Sequence, residues 1–270
     1  MSIIKLDLET IAFEQPTNQI AVATLNRPER YNSMTDTMFR EFEELADAVD
    51  ADDDVRVLIL TGAGKAFCSG FDLDAAEELP SMGVLAFLEQ QETAVRGLLA
   101  IRSVRIPVIA AVNGAAAGGG FSLCLAADIR LASTEAKFNA AFVRIGLSAG
   151  DLGTSWLLPK LIGPARAAEL TYTGRFMFAE EAERVGLVNE VHEPDELLDK
   201  AIAMAEQICA NSPGGVQLSK RALQANMEIG SFAAALELEN RGQALLTRTS
   251  DMAEALAAFK QKRTPTFTGG

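Results

Sequence analysis

The stretch from Ile106 to Ala132 leaves a chain few ways to fold. Val108 to Val112 is a short, continuous apolar run, as expected of a strand buried on both faces. Asn113-Gly114 interrupts it with a turn dipeptide. Gly118-Gly119-Gly120 then opens an apolar segment, Phe121 to Ala127, that reads as a buried helix, and Asp128 leads into a second strand over Ile129 to Ala132. Glycines at a helix start let another group approach the backbone, and the first N–H groups of a helix have no partner within it. Such a corner can bind a negatively charged oxygen and form half of an oxyanion hole. The absence of charge from Ile106 to Ala127 also suits a membrane span, but four glycines, a turn and many alanines in place of leucines argue against one.

With 270 residues, 49% of them hydrophobic, the chain can bury a substantial core as one large domain or one domain with an appendage. A net charge of −13 disfavours nucleic acid and anionic membranes as partners, while leaving room for a small anion held by local lysines and arginines. Cys68, Cys124 and Cys209 show no paired spacing, so neither a disulfide framework nor a zinc site is expected. The N-terminus lacks the pattern of a signal peptide, and a reducing cytoplasm is the expected location.

Read in order, Ile3 to Ile11 and Ile20 to Leu25 suggest a strand pair around Pro16-Thr17-Asn18. Thr35 suits the cap of a helix that carries Met38, Phe39, Phe42, Leu45, Ala46 and Val49 on one face. Val55 to Thr61 predicts a strand, Ser81 to Ile101 an amphipathic helix, Trp156 to Ile162 a helix, and Gly163-Pro164 the start of another reaching Thr173. Leu187 to Val191 reads as a last strand. From Asp195 to Lys262 helices follow, broken at Asn211-Ser212-Pro213, Gly230 and Thr249-Ser250. A split near residue 200 separates a strand-containing core, 1–200, from a helical region, 201–270.

Several familiar chemistries are absent. Gly62-Ala63-Gly64-Lys65 lacks the spacing of a phosphate-binding loop, and Gly118-Gly119-Gly120 lacks that of a dinucleotide fingerprint. There is no G-x-S-x-G elbow. The single histidine, His192, reads as a surface-loop residue, which removes most histidine-based triads. Cys68 reads as a buried, inert thiol.

Two glycine-ended segments remain, Ser69-Gly70-Phe71-Asp72-Leu73 and Ala117-Gly118-Gly119-Gly120-Phe121. With the LNRPERYN loop, GAGKAFCSGFDL, PVIAAVNGAAAGGG, GLSAGDLGTSWLLPKLIG and a closing AAFKQKR, in this order and at these distances, the chain closely resembles the enoyl-CoA hydratase/isomerase (crotonase) family. The resemblance implies an α/β fold: a spiral of strand-strand-helix turns followed by a helical region that builds homotrimers, often paired into hexamers. It implies a CoA thioester substrate, and no metal or redox cofactor is called for. By the same likeness, the backbone N–H groups of Phe71 and Gly119 hold the thioester carbonyl. Arg27, Arg30, Lys65, Ala66, Ser69, Gly70, Asp72, Leu73, Gly118, Ser122, Phe142 and Lys262 fall around substrate or CoA, and Lys260 and Arg263 could also reach its phosphates. Met82, Leu85, Phe142 and Trp156 are candidate walls of the acyl pocket. Asp72 is the other acid nearby, but a turn or capping role suits it better than a catalytic one, and Glu77 and Glu78 read as exposed.

The family's hydratases carry two glutamates where this chain has Ser122 and Phe142, neither of which can act as a general base near neutral pH. Asp151, in Gly150-Asp151-Leu152-Gly153-Thr154, stands where dienoyl-CoA isomerases and a CoA-linked aryl dehalogenase place a working aspartate. It would equally serve as a cap for the helix that follows. The expected reaction is proton transfer that isomerises an unsaturated acyl-CoA. The alternatives are enoyl-CoA hydration, thioester hydrolysis or dehalogenation through Asp151, and a non-catalytic acyl-CoA binder.

Overall fold

The computed structural model describes residues 4–72, 74 and 79–270. Leu73, Glu77 and Glu78 lie outside the described residues. Two sheets organise the chain. A six-stranded sheet has the order β1 (Ile11–Thr17), β2 (Ile20–Leu25), β3 (Val57–Gly62), β5 (Val108–Val112), β7 (Ile129–Ser133), β10 (Glu190–His192). A four-stranded sheet has the order β4 (Ala66–Cys68), β6 (Ala115–Ala117), β8 (Lys137–Asn139), β9 (Met177–Phe178). The β1–β2 and β8–β9 pairs are antiparallel and the rest parallel.

The central strands have period-two patterning with both faces apolar. Ala21, Ala23, Leu58, Leu60, Val108 and Ala110 point into the larger core with α1 (Asp36–Ala51) and α2 (Val84–Ser103). Ile20, Val22, Val57, Ile59, Ile109 and Ala111 point the other way, onto α7 (Leu197–Cys209). A sheet covered on both faces requires such continuous apolar runs. Residue 200, the expected boundary, falls inside α7, whose Leu197, Ala201, Ala205 and Cys209 pack on this sheet.

Between the sheets the chain turns sharply and repeatedly. Each of β3, β5 and β7 leads through a corner into β4, β6 and β8. β4 and β6 are in turn followed by helices, α2 and α3 (Gly119–Ala126). These are the strand-strand-helix turns of a spiral. The turns stack so closely that a methyl on Gly62, Gly114 or Gly120 would lie 2.1–2.3 Å from a carbonyl oxygen of the neighbouring segment. Amide side chains bind the corners: Asn32 Nδ2 donates to the carbonyls of Ala63 and Ala66, and Asn113 Nδ2 to that of Gly64.

Further helices among the described residues are α4 (Thr154–Ile162), α5 (Pro164–Thr173), α6 (Ala179–Arg184), α8 (Pro213–Asn226), α9 (Phe232–Leu246) and α10 (Ser250–Gln261). The three expected breaks of the helical region fall at the starts of α8, α9 and α10, where Ser231 and Thr249 cap α9 and α10 with side-chain bonds and Ser212 precedes α8 without one. Buried Lys220 secures α8 to the core by donating to the Ile106 carbonyl and Asp128, both at 2.8 Å.

Some elements differ from expectation. Residues 4–8 form no strand, and β1 begins at Ile11 and runs through Pro16. Proline is tolerated there because β1 is a sheet edge and its register shifts between Glu14 and Thr17. His192 is no loop residue but ends β10, its Nε2 2.9 Å from Glu190. Among the described residues no helix is long and apolar enough to cross a membrane.

Candidate active site

The site is built where α3 meets the segment after β4. Gly70 has φ +95°, and a Cβ on it would lie 2.8 Å from the Ala117 carbonyl oxygen and 3.2 Å from the Gly119 nitrogen. Glycine is therefore what lets the Gly70-Phe71 and Ala117-Gly119 backbones meet.

Peptide planarity then sets the donors. The Gly70 carbonyl accepts from the Met34 N–H at 2.8 Å, so the Phe71 N–H of the same trans peptide points away from Met34. The Gly118 carbonyl accepts from the Ser122 N–H at 3.0 Å, along α3, so the Gly119 N–H points out of the helix start. Among the described residues neither the Phe71 nor the Gly119 N–H has an acceptor. Gly118, at φ +51°, makes the corner, and its own N–H is spent on the Asn139 carbonyl.

Apolar side chains line this corner. A methyl on Gly119 would meet Met34 Sδ at 3.1 Å, Leu152 Cδ1 at 3.4 Å and Phe71 Cδ2 at 3.6 Å. The Phe71 ring rests on Phe39 of α1, with centroids 5.5 Å apart. Phe142, buried in a short 3-10 helix (Ala141–Ile145), brings Cε1 to 4.0 Å from the Cβ position of Gly118. Ser122 is also buried: its hydroxyl lies 2.7 Å from Thr154 Oγ1 and donates to the Gly118 carbonyl at 3.3 Å. It is a strut between α3 and α4, its hydroxyl engaged with Thr154 and the Gly118 carbonyl.

Asp151 directly precedes Leu152, whose side chain reaches Gly119. Its side chain does not cap α4. That helix starts at Thr154 with Gly153 at its cap and no side-chain cap bond. The carboxylate has no ion pair among the described residues, and burial pushes its pKa above the ordinary aspartate value, opposed by a hydrogen bond from the Leu152 backbone. A partly buried carboxylate without an ion pair is equipped to move a proton.

Asp72 proves to be an ionic hub. Its carboxylate receives Arg27 Nη1 at 3.1 Å, Arg30 Nη2 at 3.0 Å and Ser33 Oγ at 2.8 Å. Burial alone would raise its pKa, but bonds from Arg30, Ser33 and Arg27 outweigh that and hold it well below the carboxylate range. The two arginines expected near CoA thus already carry a carboxylate between them, and Arg30 also contacts Asp74. Lys65 and Ser69 are exposed and Ala66 is buried. Lys65 has no carboxylate partner among the described residues. Lys260 and Lys262 are exposed at the end of the chain, and Arg263 pairs with Glu254.

Burial raises the thiols of Cys68 and Cys124 to about 12, leaving both unreactive. Leu85 and Trp156, the expected acyl walls, are 81% and 50% exposed, so the described residues do not enclose a pocket at either. A groove of about 370 Å³ flanks the Asp151 loop through Gly150 and Thr154 and extends along Leu158, Ala167 and Tyr172. Among the described residues no cluster of three or more His, Cys, Asp or Glu could hold a metal ion.

The family model described as enoyl-CoA hydratase/isomerase matches residues 15–270. The chain belongs to the enoyl-CoA hydratase/isomerase family. Its relatives include "Probable enoyl-CoA hydratase echA12" of Mycobacterium bovis, 43% identical over 263 residues, 96% of this chain and 92% of that protein. The 1,2-epoxyphenylacetyl-CoA isomerase of Escherichia coli is 38% identical over 255 residues, 93% of this chain and 95% of that one. The crystal structure of an enoyl-CoA hydratase from Bacillus anthracis superposes with a TM-score of 0.91 at 35% identity, covering 97% of this chain and 100% of that one. The fold is the crotonase fold of this acyl-CoA enzyme family.

Nothing in the sequence marks Met34, Ser33, Leu152 or Thr154 as a site residue. They act through contacts 30 or more residues distant, and no local motif marks them.

Proposed function

We propose that the protein isomerises the double bond of an unsaturated acyl-CoA, with Asp151 as the proton carrier and the Phe71 and Gly119 N–H groups as the oxyanion hole. The Asp151 carboxylate takes a proton from the acyl chain, and the electron pair of that C–H bond moves toward the thioester oxygen as an enolate forms. The protonated Asp151 then returns the proton to a different carbon of the conjugated system. Atoms and charge balance without a co-reactant. Two preorganised donors stabilise the enolate oxygen more than the ground-state carbonyl, and this difference accelerates the reaction.

The observation that carries this reading is a half-buried Asp151 without an ion pair, next in the chain to the Leu152 that reaches Gly119, together with two N–H groups without acceptors. Phe142 and Ser122 support isomerisation over hydration: one fills the space beside Gly118 with a phenyl ring, and the other is engaged with Thr154. Enoyl-CoA hydration is the second reading, favoured by the hydratase names of relatives such as the 43% identical mycobacterial protein. Incubation of 2-enoyl- and 3-enoyl-CoA, with product analysis by mass spectrometry, separates the two. Conversion to a chromatographically distinct product of unchanged mass supports isomerisation, and a gain of one water supports hydration.

The bare apolar side chains of α9 and α10, Phe232, Leu245, Leu256 and Phe259 among them, suit coverage by further copies of this chain in a trimer or hexamer. Sedimentation analysis tests that assembly.

A further inference from the structure

Phe71 has no side-chain polar group through which its N–H could be aimed, so the backbone around it has to be held by something else. Two backbone bonds join its segment to the loop before α1: Met34 N–H to the Gly70 carbonyl at 2.8 Å, and Asp72 N–H to the Met34 carbonyl at 3.1 Å. Ser69 N–H adds a third, to the Tyr31 carbonyl at 3.0 Å. The orientation of the Phe71 N–H is therefore only as firm as the seating of residues 31–34 against 69–72.

One side chain clamps that seating. The Asp72 carboxylate, 6% exposed, takes Ser33 Oγ next to Met34. It also takes Arg27 Nη1, which itself donates to the Ser33 carbonyl at 2.7 Å and meets Ser33 Oγ at 3.1 Å. Arg30 Nη2 closes the other carboxylate oxygen at 3.0 Å. Three donors from one loop thus converge on the residue immediately after the hole donor.

We infer that Asp72 is a positioning residue of the oxyanion hole, its carboxylate locking the Ser33-Met34 loop onto the Gly70-Asp72 segment so that the Phe71 N–H stays aimed at the thioester oxygen. This rests on the proposed role of the Phe71 N–H. Arg27 and Arg30 serve the clamp first, sharing the Asp72 carboxylate. Small errors in donor placement are costly in such a site, since a misplacement of about 1 Å lowers rates by about 10²-fold.

The test uses a saturated acyl-CoA labelled with carbon-13 at the thioester carbonyl, read by difference infrared spectroscopy. Binding to the wild type should shift the carbonyl stretch to lower frequency. Asp72→Asn, which keeps the size but removes the charge, should diminish that shift and lower turnover about tenfold to a hundredfold, with acyl-CoA affinity changed less than threefold. Ser33→Ala removes one grip and should give an intermediate shift, and it carries the test if Asp72→Asn does not fold. Variants with a wild-type carbonyl shift overturn the inference. So does an effect confined to affinity, which would make Asp72 a partner of the arginines alone. A wild type that binds the thioester with no shift would instead overturn the oxyanion hole on which the inference stands.

Discussion

Replacing Gly70 with alanine should damage both stability and catalysis. The native φ of +95° lies where a Cβ is strained, at a cost of about 1–3 kcal/mol. The added methyl would also lie 2.8 Å from the Ala117 carbonyl oxygen, short of the 3.4 Å at which ordinary contact begins. The Gly70-Phe71 and Ala117-Gly119 segments must therefore part by roughly half an ångström, which is near the tolerance of a preorganised site. The strain alone should lower the melting temperature by roughly 2–6 °C. Misplacing the donors should lower turnover by about 10²-fold, the effect of losing one oxyanion donor. Differential scanning calorimetry and acyl-CoA turnover measure the two effects, with Gly230→Ala as the comparison because a Cβ there meets nothing within 4 Å. Wild-type melting and turnover in Gly70→Ala would refute the close-approach account.

Four further outcomes follow from the same geometry. Because burial raises the pKa of Asp151, its ionisation costs the native state stability as pH rises through the native value. Asp151→Asn should therefore melt above the wild type at neutral pH, and the two should converge below about pH 4, the unfolded aspartate value. Activity of the wild type should rise along an acid limb centred above 3.8, visible in kcat/KM. Lys220→Ala should destabilise by about 3–5 kcal/mol in chemical denaturation, since it strips a buried partner from Asp128 and the Ile106 carbonyl. Phe142→Ala should open space beside Gly118, lower stability by about 3–5 kcal/mol and raise the fraction of hydrated product when 2-enoyl-CoA is supplied.

Legibility in the sequence followed the range of the interactions. The apolar runs of β3, β5 and β7 and the helix breaks at Ser212, Gly230 and Thr249 are encoded within a few residues, and they lie close to where sequence reading puts them. The strands β4, β6 and β8 have three residues each, too few for a periodic signal, and they exist because the turns of the spiral stack on one another. The segment before Ile11 has the composition of a strand, but residues 4–8 have no strand partner, and pairing rather than propensity decides. Gly118-Gly119-Gly120 announced a helix start that could receive an anion. The partnership of Asp72 with Arg27 and Arg30 spans more than 40 residues and has no sequence signature, so the arginines read as free cations. Trp156 illustrates the converse: it reads as a pocket wall, yet it is half exposed with Lys160 Nζ 4.0 Å above its ring.

The most direct test of enolate chemistry at Asp151 is hydrogen exchange at the acyl chain. Saturated and unsaturated acyl-CoAs are incubated in heavy water with the wild type and with Asp151→Asn, and deuterium uptake is followed by mass spectrometry. The account predicts uptake with the wild type and its loss, by several orders of magnitude, with Asp151→Asn while acyl-CoA binding persists. Bound thioester with no uptake by the wild type, or uptake undiminished in Asp151→Asn, would contradict it.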